Sequence, residues 1–251
     1  MKRSQINSAI EWAIALLDGN NYKPPKFAYW DLETWKREKD KTDVIQKVML
    51  GWDVTDYGHG RFLELGALLY TIRNGDINDP GLGTPYAETL ILLKDGQALP
   101  NHYHIHKTED IINRGGGVLA LRLYNSRRDN SLCMESDVMV YMDGIRRVVK
   151  PGEVVLVEPG NSLTITPYMY HEFWAAEGKG DLIVGEVSSI NNDNTDNVFL
   201  DEMVRFAQTR RTSRYAIRFA TNTQIYYNTV KTRGPDETAC FAFDESEGLA
   251  C

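Results

Sequence analysis

The feature that most limits how this chain can fold is a train of short β-rich runs, each closed by a turn. Between residues 48 and 187 the runs recur at roughly ten-residue spacing. The clearest are Leu65 to Arg73, Ala87 to Lys94, Gly117 to Tyr124, Asp137 to Met142, Arg146 to Val149, Glu153 to Val157, Ser162 to Thr166, His171 to Ala175 and Asp181 to Val187. Between them stand Lys94-Asp95-Gly96, Met142-Asp143-Gly144, Lys150-Pro151-Gly152 and Glu158-Pro159-Gly160. Glycine admits positive φ and proline presets a turn, so each group ends a strand. Many short strands without intervening helices specify an all-β sandwich or barrel. A parallel α/β sheet would need strand–helix alternation, which is missing.

The two ends read differently. Ile6, Ala9, Ile10, Ala13 and Leu17 fall at helical spacing behind Ser4, a candidate N-cap. Asp31 begins a second short helix, to about Lys39. Residues 1–45 are therefore expected as a helical arm that packs on a sheet or a partner, and residues 46–204 as the barrel. The polar stretch Ile190 to Asn197 reads as a loop. Residues 205–251 form an atypical basic tail: all seven charged residues between 205 and 235 are basic, although the whole chain carries a net charge of −7. That acidic balance argues against a nucleic-acid partner. No apolar run approaches the ~20 residues that span a membrane, and the start lacks the apolar core of a secretory leader. Three cysteines without a close pair suit a reducing, cytoplasmic setting.

Chemistry concentrates in Gly96-Gln97-Ala98-Leu99-Pro100-Asn101-His102-Tyr103-His104-Ile105-His106-Lys107-Thr108-Glu109. Three of the five histidines lie here in strict alternation. In a strand, alternate residues share a face, so two imidazoles and a carboxylate from one hairpin offer an open divalent-metal site. The pattern Gly96, five residues, His102-x-His104, four residues, Glu109, six residues, Gly116 resembles the first motif of the cupin superfamily. That resemblance implies a cupin-type antiparallel β-barrel, or jelly roll. It selects His102, His104 and Glu109 as ligands, and leaves His106 either hydrogen-bonding substrate in the pocket or simply exposed. Its second motif points to His171, in Tyr170-His171-Glu172-Phe173, as the fourth ligand. The match there is looser, because Met169 stands where glycine is expected. The bland alternative is a packing histidine.

Longer stretches resemble the bacterial D-lyxose isomerase family: Phe27-Ala28-Tyr29-Trp30, Met49 to Asp56, Thr71 to Gly75, Glu109 to Gly117, Gly185-Glu186-Val187-Ser188 and the Asn192 to Asn197 loop. The resemblance runs to Phe206, about four-fifths of the chain. It implies a homodimeric aldose–ketose isomerase that acts on small sugars, D-lyxose with D-xylulose and D-mannose with D-fructose. The implied cofactor is a divalent ion, Mn2+ in preference to Co2+ or Zn2+. Such an isomerase needs a general base, and Glu186, inside an apolar run, is the first candidate if it faces the interior rather than solvent. Lys107 is expected to hold a sugar oxygen or steady an oxyanion, unless it is a solvated lysine. Arg114 and Asp193 are candidate substrate contacts, with Arg114 alternatively pairing a carboxylate in its turn. Two other readings stay open: an iron-dependent cupin dioxygenase, which can share the ligand set, and a non-catalytic sugar-binding or regulatory cupin, which the complete ligand set opposes and the abnormal tail favours. After Phe206 the family pattern continues with an acidic stretch, whereas this chain turns basic, which suggests a replaced or frame-shifted tail.

Overall fold

The computed structural model describes residues 1–205; the basic tail expected over 205–251 lies, but for Arg205, outside the described residues. Three α-helices come first: α1 (Arg3–Gly19), α2 (Leu32–Arg37) and α3 (Asp43–Lys47). The strands are β1 (Gly51–Thr55), β2 (Ala67–Asp76), β3 (Asp79–Leu93), β4 (Ala98–His104), β5 (Glu109–Gly116), β6 (Leu119–Ser126) and β7 (Leu132–Cys133). They continue with β8 (Val138–Met142), β9 (Ile145–Val149), β10 (Val154–Val157), β11 (Ser162–Ile165), β12 (Met169–Ala175), β13 (Leu182–Ser188) and β14 (Asn197–Phe199).

The strands form two antiparallel sheets. The larger runs β1-β2-β3-β13-β5-β11-β8-β9, and the smaller runs β10-β6-β12-β4-β14, with β7 on β6. The all-β architecture expected from the turn spacing is the one that forms. The turns act as their residues dictate. Asp143 and Gly144 both take positive φ, 51° and 78°, as the two-residue hairpin between β8 and β9 requires. Gly116 has φ 84°, and a Cβ there would run into the Asp181 carbonyl oxygen, so the motif glycine has a steric reason.

Alternation gives the larger sheet two apolar faces. Its inner face, with Ile91, Ile111, Leu163 and Val184, packs on Leu99, Leu121, Leu123 and Phe173 of the smaller sheet. Its outer face, with Leu68, Tyr70, Leu90 and Ile183, packs under Ile6, Ile10, Ala13 and Leu17 of α1. The helix begins at Arg3, one residue before the expected cap, because Gln5 Oε1 accepts the Lys2 backbone N–H at 2.8 Å. Asp31 caps α2 as its sequence position predicts, accepting the Thr34 N–H at 2.8 Å. Trp52 of β1 is fully buried and donates its indole N–H to the Ala28 carbonyl at 2.8 Å, which pins the arm to the sheet edge. β14 departs from the expected loop: Asn197 to Phe199 return to pair with His104 to His102 of β4. Among the described residues, no helix is long and apolar enough to cross a membrane.

Candidate metal centre and active site

His102 and His104 sit two residues apart on β4 and so share its inner face. β12 runs antiparallel beside β4 with His171 directly opposite His102. The three rings converge, with centroids 4.2 Å (His102–His171), 5.0 Å (His102–His104) and 5.3 Å (His104–His171) apart. All three are buried, and their ligand nitrogens lie within 4.8 Å of one another. His102 Nδ1 donates to the Pro100 carbonyl at 2.9 Å and His171 Nδ1 to the Met169 carbonyl at 3.0 Å. A carbonyl can only accept, so both rings carry the proton on Nδ1 and present a bare Nε2, as metal-binding histidines do. Burial, reinforced by His171 and His104, lowers the His102 pKa well below its ordinary value. Burial and the Lys107 charge lower His104 as well.

Glu109, the first residue of β5, completes the cluster from the larger sheet. Its Oε1 lies 3.2 Å from His171 Nε2 and 3.4 Å from His104 Nε2. Neither approach has hydrogen-bond geometry: Glu109 Oε1, His171 Nε2 and both His104 ring nitrogens are buried without a hydrogen-bond partner. Ligands held at ~2.1 Å around one ion stand about 3.0–3.4 Å apart. The donor set and its unpartnered atoms therefore fit a divalent cation.

Beside this cluster lies a buried cation between two carboxylates. Lys107 Nζ is 2.8 Å from Glu109 Oε2 and donates to Glu186 Oε1 at 2.9 Å. Glu186 faces inward on β13, opposite Thr89 of β3 and Ile111 of β5. Burial raises its carboxyl pKa, the Lys107 charge pulls it back, and Glu109 pushes it up again, for a net rise. Burial alone would lower Lys107, but Glu109 and Glu186 outweigh it and hold the ammonium charged. Burial would raise Glu109 too, yet Lys107 and His104 hold it well below the usual carboxylate range. A second buried cation closes the far side. Arg205 donates to Asp53 Oδ2 of β1 at 2.7 Å and to Asp193 Oδ2 at 2.6 Å. Asp193 stays ionised because Arg205 and Lys107 together overcome its burial.

A model of the D-lyxose isomerase family matches residues 1–217. The chain belongs to that family. It is 37% identical over 209 residues to a D-lyxose/D-mannose isomerase of Serratia proteamaculans, covering 83% of this chain and 91% of that one. It is 38% identical over 207 residues to an enzyme of the same name from Escherichia coli O157:H7, covering 82% and 91%. Among solved structures, L-ribose isomerase of Acinetobacter sp. DL28, in complex with L-ribose, superposes with TM-score 0.55 at 15% identity over 84% of this chain and 98% of that one. L-ribose isomerase of Geodermatophilus obscurus gives 0.52 at 15% identity, with the same coverage. At that identity the likeness establishes the fold, which is the cupin type. The protein is a sugar isomerase of the D-lyxose isomerase family.

Of the residues singled out in this family member's sequence, His102, His104, Lys107, Glu109, His171, Glu186 and Asp193 all line one pocket between the sheets. Two do not reach it. β4 ends at His104, so the alternation breaks and His106 turns out to solvent, with its backbone N–H held by Asp196 Oδ1 at 2.7 Å. Arg114 lies on the outer face of β5, exposed and against Gly185, because Glu109, Ile111 and Asn113 take the inward positions. Neither side chain is placed to bind a substrate in the pocket. Sequence reasoning missed Asp53, Arg205 and Asp196. Asp196 accepts the backbone N–H groups of His106 and Lys107 at 2.7 and 3.1 Å, which bends the chain so that Lys107 points inward. The aspartate-rich loop after β13 was the available signal for it. Nothing local marks Asp53 or Arg205, which lie 152 residues apart in the chain.

Proposed function

We propose that this enzyme moves a proton between C1 and C2 of an aldose through a cis-enediol. The reaction would interconvert D-lyxose with D-xylulose and D-mannose with D-fructose, in a homodimer that prefers Mn2+. The observation that carries the reading is Glu186, a buried carboxylate of raised proton affinity that faces the histidine cluster and is held in place by a lysine. A divalent ion on His102, His104, His171 and Glu109 would supply Lewis acidity toward the two sugar oxygens, and a mixed imidazole–carboxylate set suits Mn2+. Glu186 takes the proton from one carbon and returns it to the next, a step that needs a base of proton affinity above that of a free carboxylate. Lys107 keeps the carboxylate oriented through its hydrogen bond to Glu186 and, with three N–H donors, has one to offer a sugar oxygen. Arg205, neutralised by Asp53 and Asp193, fixes the far wall without adding net positive charge. The names of the curated relatives support this choice of sugars.

The test is turnover in D2O. Protein loaded with Mn2+ and given D-lyxose or D-mannose should form the ketose with deuterium at C1. Absence of ketose with Mn2+, Co2+ or Zn2+ rejects the isomerase reading. Ketose without deuterium replaces the proton transfer by a hydride shift.

A further inference from the structure

Among the described residues that line the pocket, four carry a buried polar side-chain atom with no hydrogen-bond partner: His104, His171, Glu109 and Thr89. The first three belong to the ion-binding cluster. Thr89 does not, and its hydroxyl is a group proteins rarely leave unpaired. It sits on β3, 2% exposed, directly across the ladder from Glu186. Thr71 of β2 lies opposite Thr89 on its other side, so Thr71, Thr89 and Glu186 make one polar row across three strands. Of the two flanking inward rows, Leu69, Ile91 and Val184 are apolar, and Ser188, opposite Ala87 in the other, donates its hydroxyl to the Ser189 carbonyl.

We propose that Thr89 determines substrate specificity at this site, its hydroxyl binding the hydroxyl on C3 of the sugar. The inference rests on the isomerase reading above. Side chains directly opposed in an antiparallel pair have Cβ atoms about 4.5–5.5 Å apart. When Glu186 addresses C1 and C2, the sugar hydroxyl that meets Thr89 is therefore the one on the adjoining carbon. A threonine hydroxyl both donates and accepts, which matches a sugar hydroxyl and suits neither a carboxylate nor a cation alone. D-Lyxose and D-mannose share their configuration at C3, so one contact serves both.

The experiment compares wild type, Thr89→Val and Thr89→Ser on D-mannose and on its 3-deoxy analogue. Valine keeps the shape and removes the hydroxyl. Thr89→Val should lose roughly 10- to 100-fold in kcat/KM on D-mannose, as expected when a buried hydroxyl loses its partner. On the 3-deoxy analogue it should lose little relative to wild type. Thr89→Ser should recover most of the activity. Bound metal and thermal midpoint of Thr89→Val should equal or exceed those of wild type, since an unpaired buried hydroxyl has been removed. Undiminished kcat/KM in Thr89→Val, or an equal loss on both sugars, overturns the assignment. So does a lowered midpoint, which would mean that the hydroxyl serves the fold. Failure of the wild-type enzyme itself to make ketose would instead overturn the isomerase reading, and this inference with it.

Discussion

At the scale of single residues, the proposed mechanism separates groups that hold from a group that reacts. His102 presents a bare Nε2 because its other nitrogen is tied to the Pro100 carbonyl. His102→Ala should therefore strip most bound metal, measured by elemental analysis of the purified protein; full metal content in that variant would refute the ligand assignment. In the proposed mechanism Glu186 is the reacting group. Its carboxyl pKa is raised above the ordinary 4.5, and a base works only when deprotonated. Activity should thus fall as pH drops through a value above 4.5, giving kcat/KM an acid limb displaced upward from that of a free carboxylate. Glu186→Gln should lose about 10²–10⁴-fold in kcat while keeping its metal. An unchanged kcat would exclude Glu186 as the base. His102 and His104 were legible in the sequence because strand alternation converts spacing into a shared face, and Glu109, on β5 of the other sheet, was legible from its place in the motif. Lys107 and Glu186 were legible only as alternatives, since one-dimensional pattern does not say which face of a strand is inside. His106, open between pocket and solvent, takes the exposed reading because the strand stops at His104, and Arg114 lies outside the pocket because β5 points its even-numbered residues outward.

At the scale of elements, the larger sheet carries two separate cores. The α1 stripe was readable from its helical spacing, and the fully buried Ile10 lies at its centre. Ile10→Ala should cost roughly 2–5 kcal/mol, read from urea denaturation, with bound metal per folded molecule unchanged. Metal loss at wild-type stability would mean that the outer core governs the site. The turns were legible because Asp-Gly and Pro-Gly have few conformations open to them. β1 and β14 were not, since they are short strands whose pairing partners, rather than their own composition, make them strands: Trp52 needs Tyr70 and the Ala28 carbonyl, and Asn197 needs His104.

At the scale of the whole molecule, Arg205 joins the first strand to the loop after β13. Arg205→Ala would leave Asp53 and Asp193 buried without their cation, a change worth about 3–5 kcal/mol. Asp193 has its folded pKa depressed below the ordinary 3.8, so its stabilising contribution is complete above that value and fades as pH falls through the folded pKa. The stability gap between wild type and Arg205→Ala should accordingly be widest near neutral pH and narrow below about pH 4. Chemical denaturation at pH 7 and at about pH 2.5 checks this, and an equal gap at both rejects the charge-based account.

The guanidinium of Arg205 bonds a residue 152 positions earlier in the chain. That separation has a consequence for synthesis. A ribosome adding ~5–20 residues each second needs on the order of ten seconds to travel from Asp53 to Arg205. Throughout that interval the emerging chain carries Asp53 without this counter-ion. The pocket wall is thus completed only once residue 205 has been made, and a nascent chain stalled before it would lack the cation that joins Asp53 to Asp193.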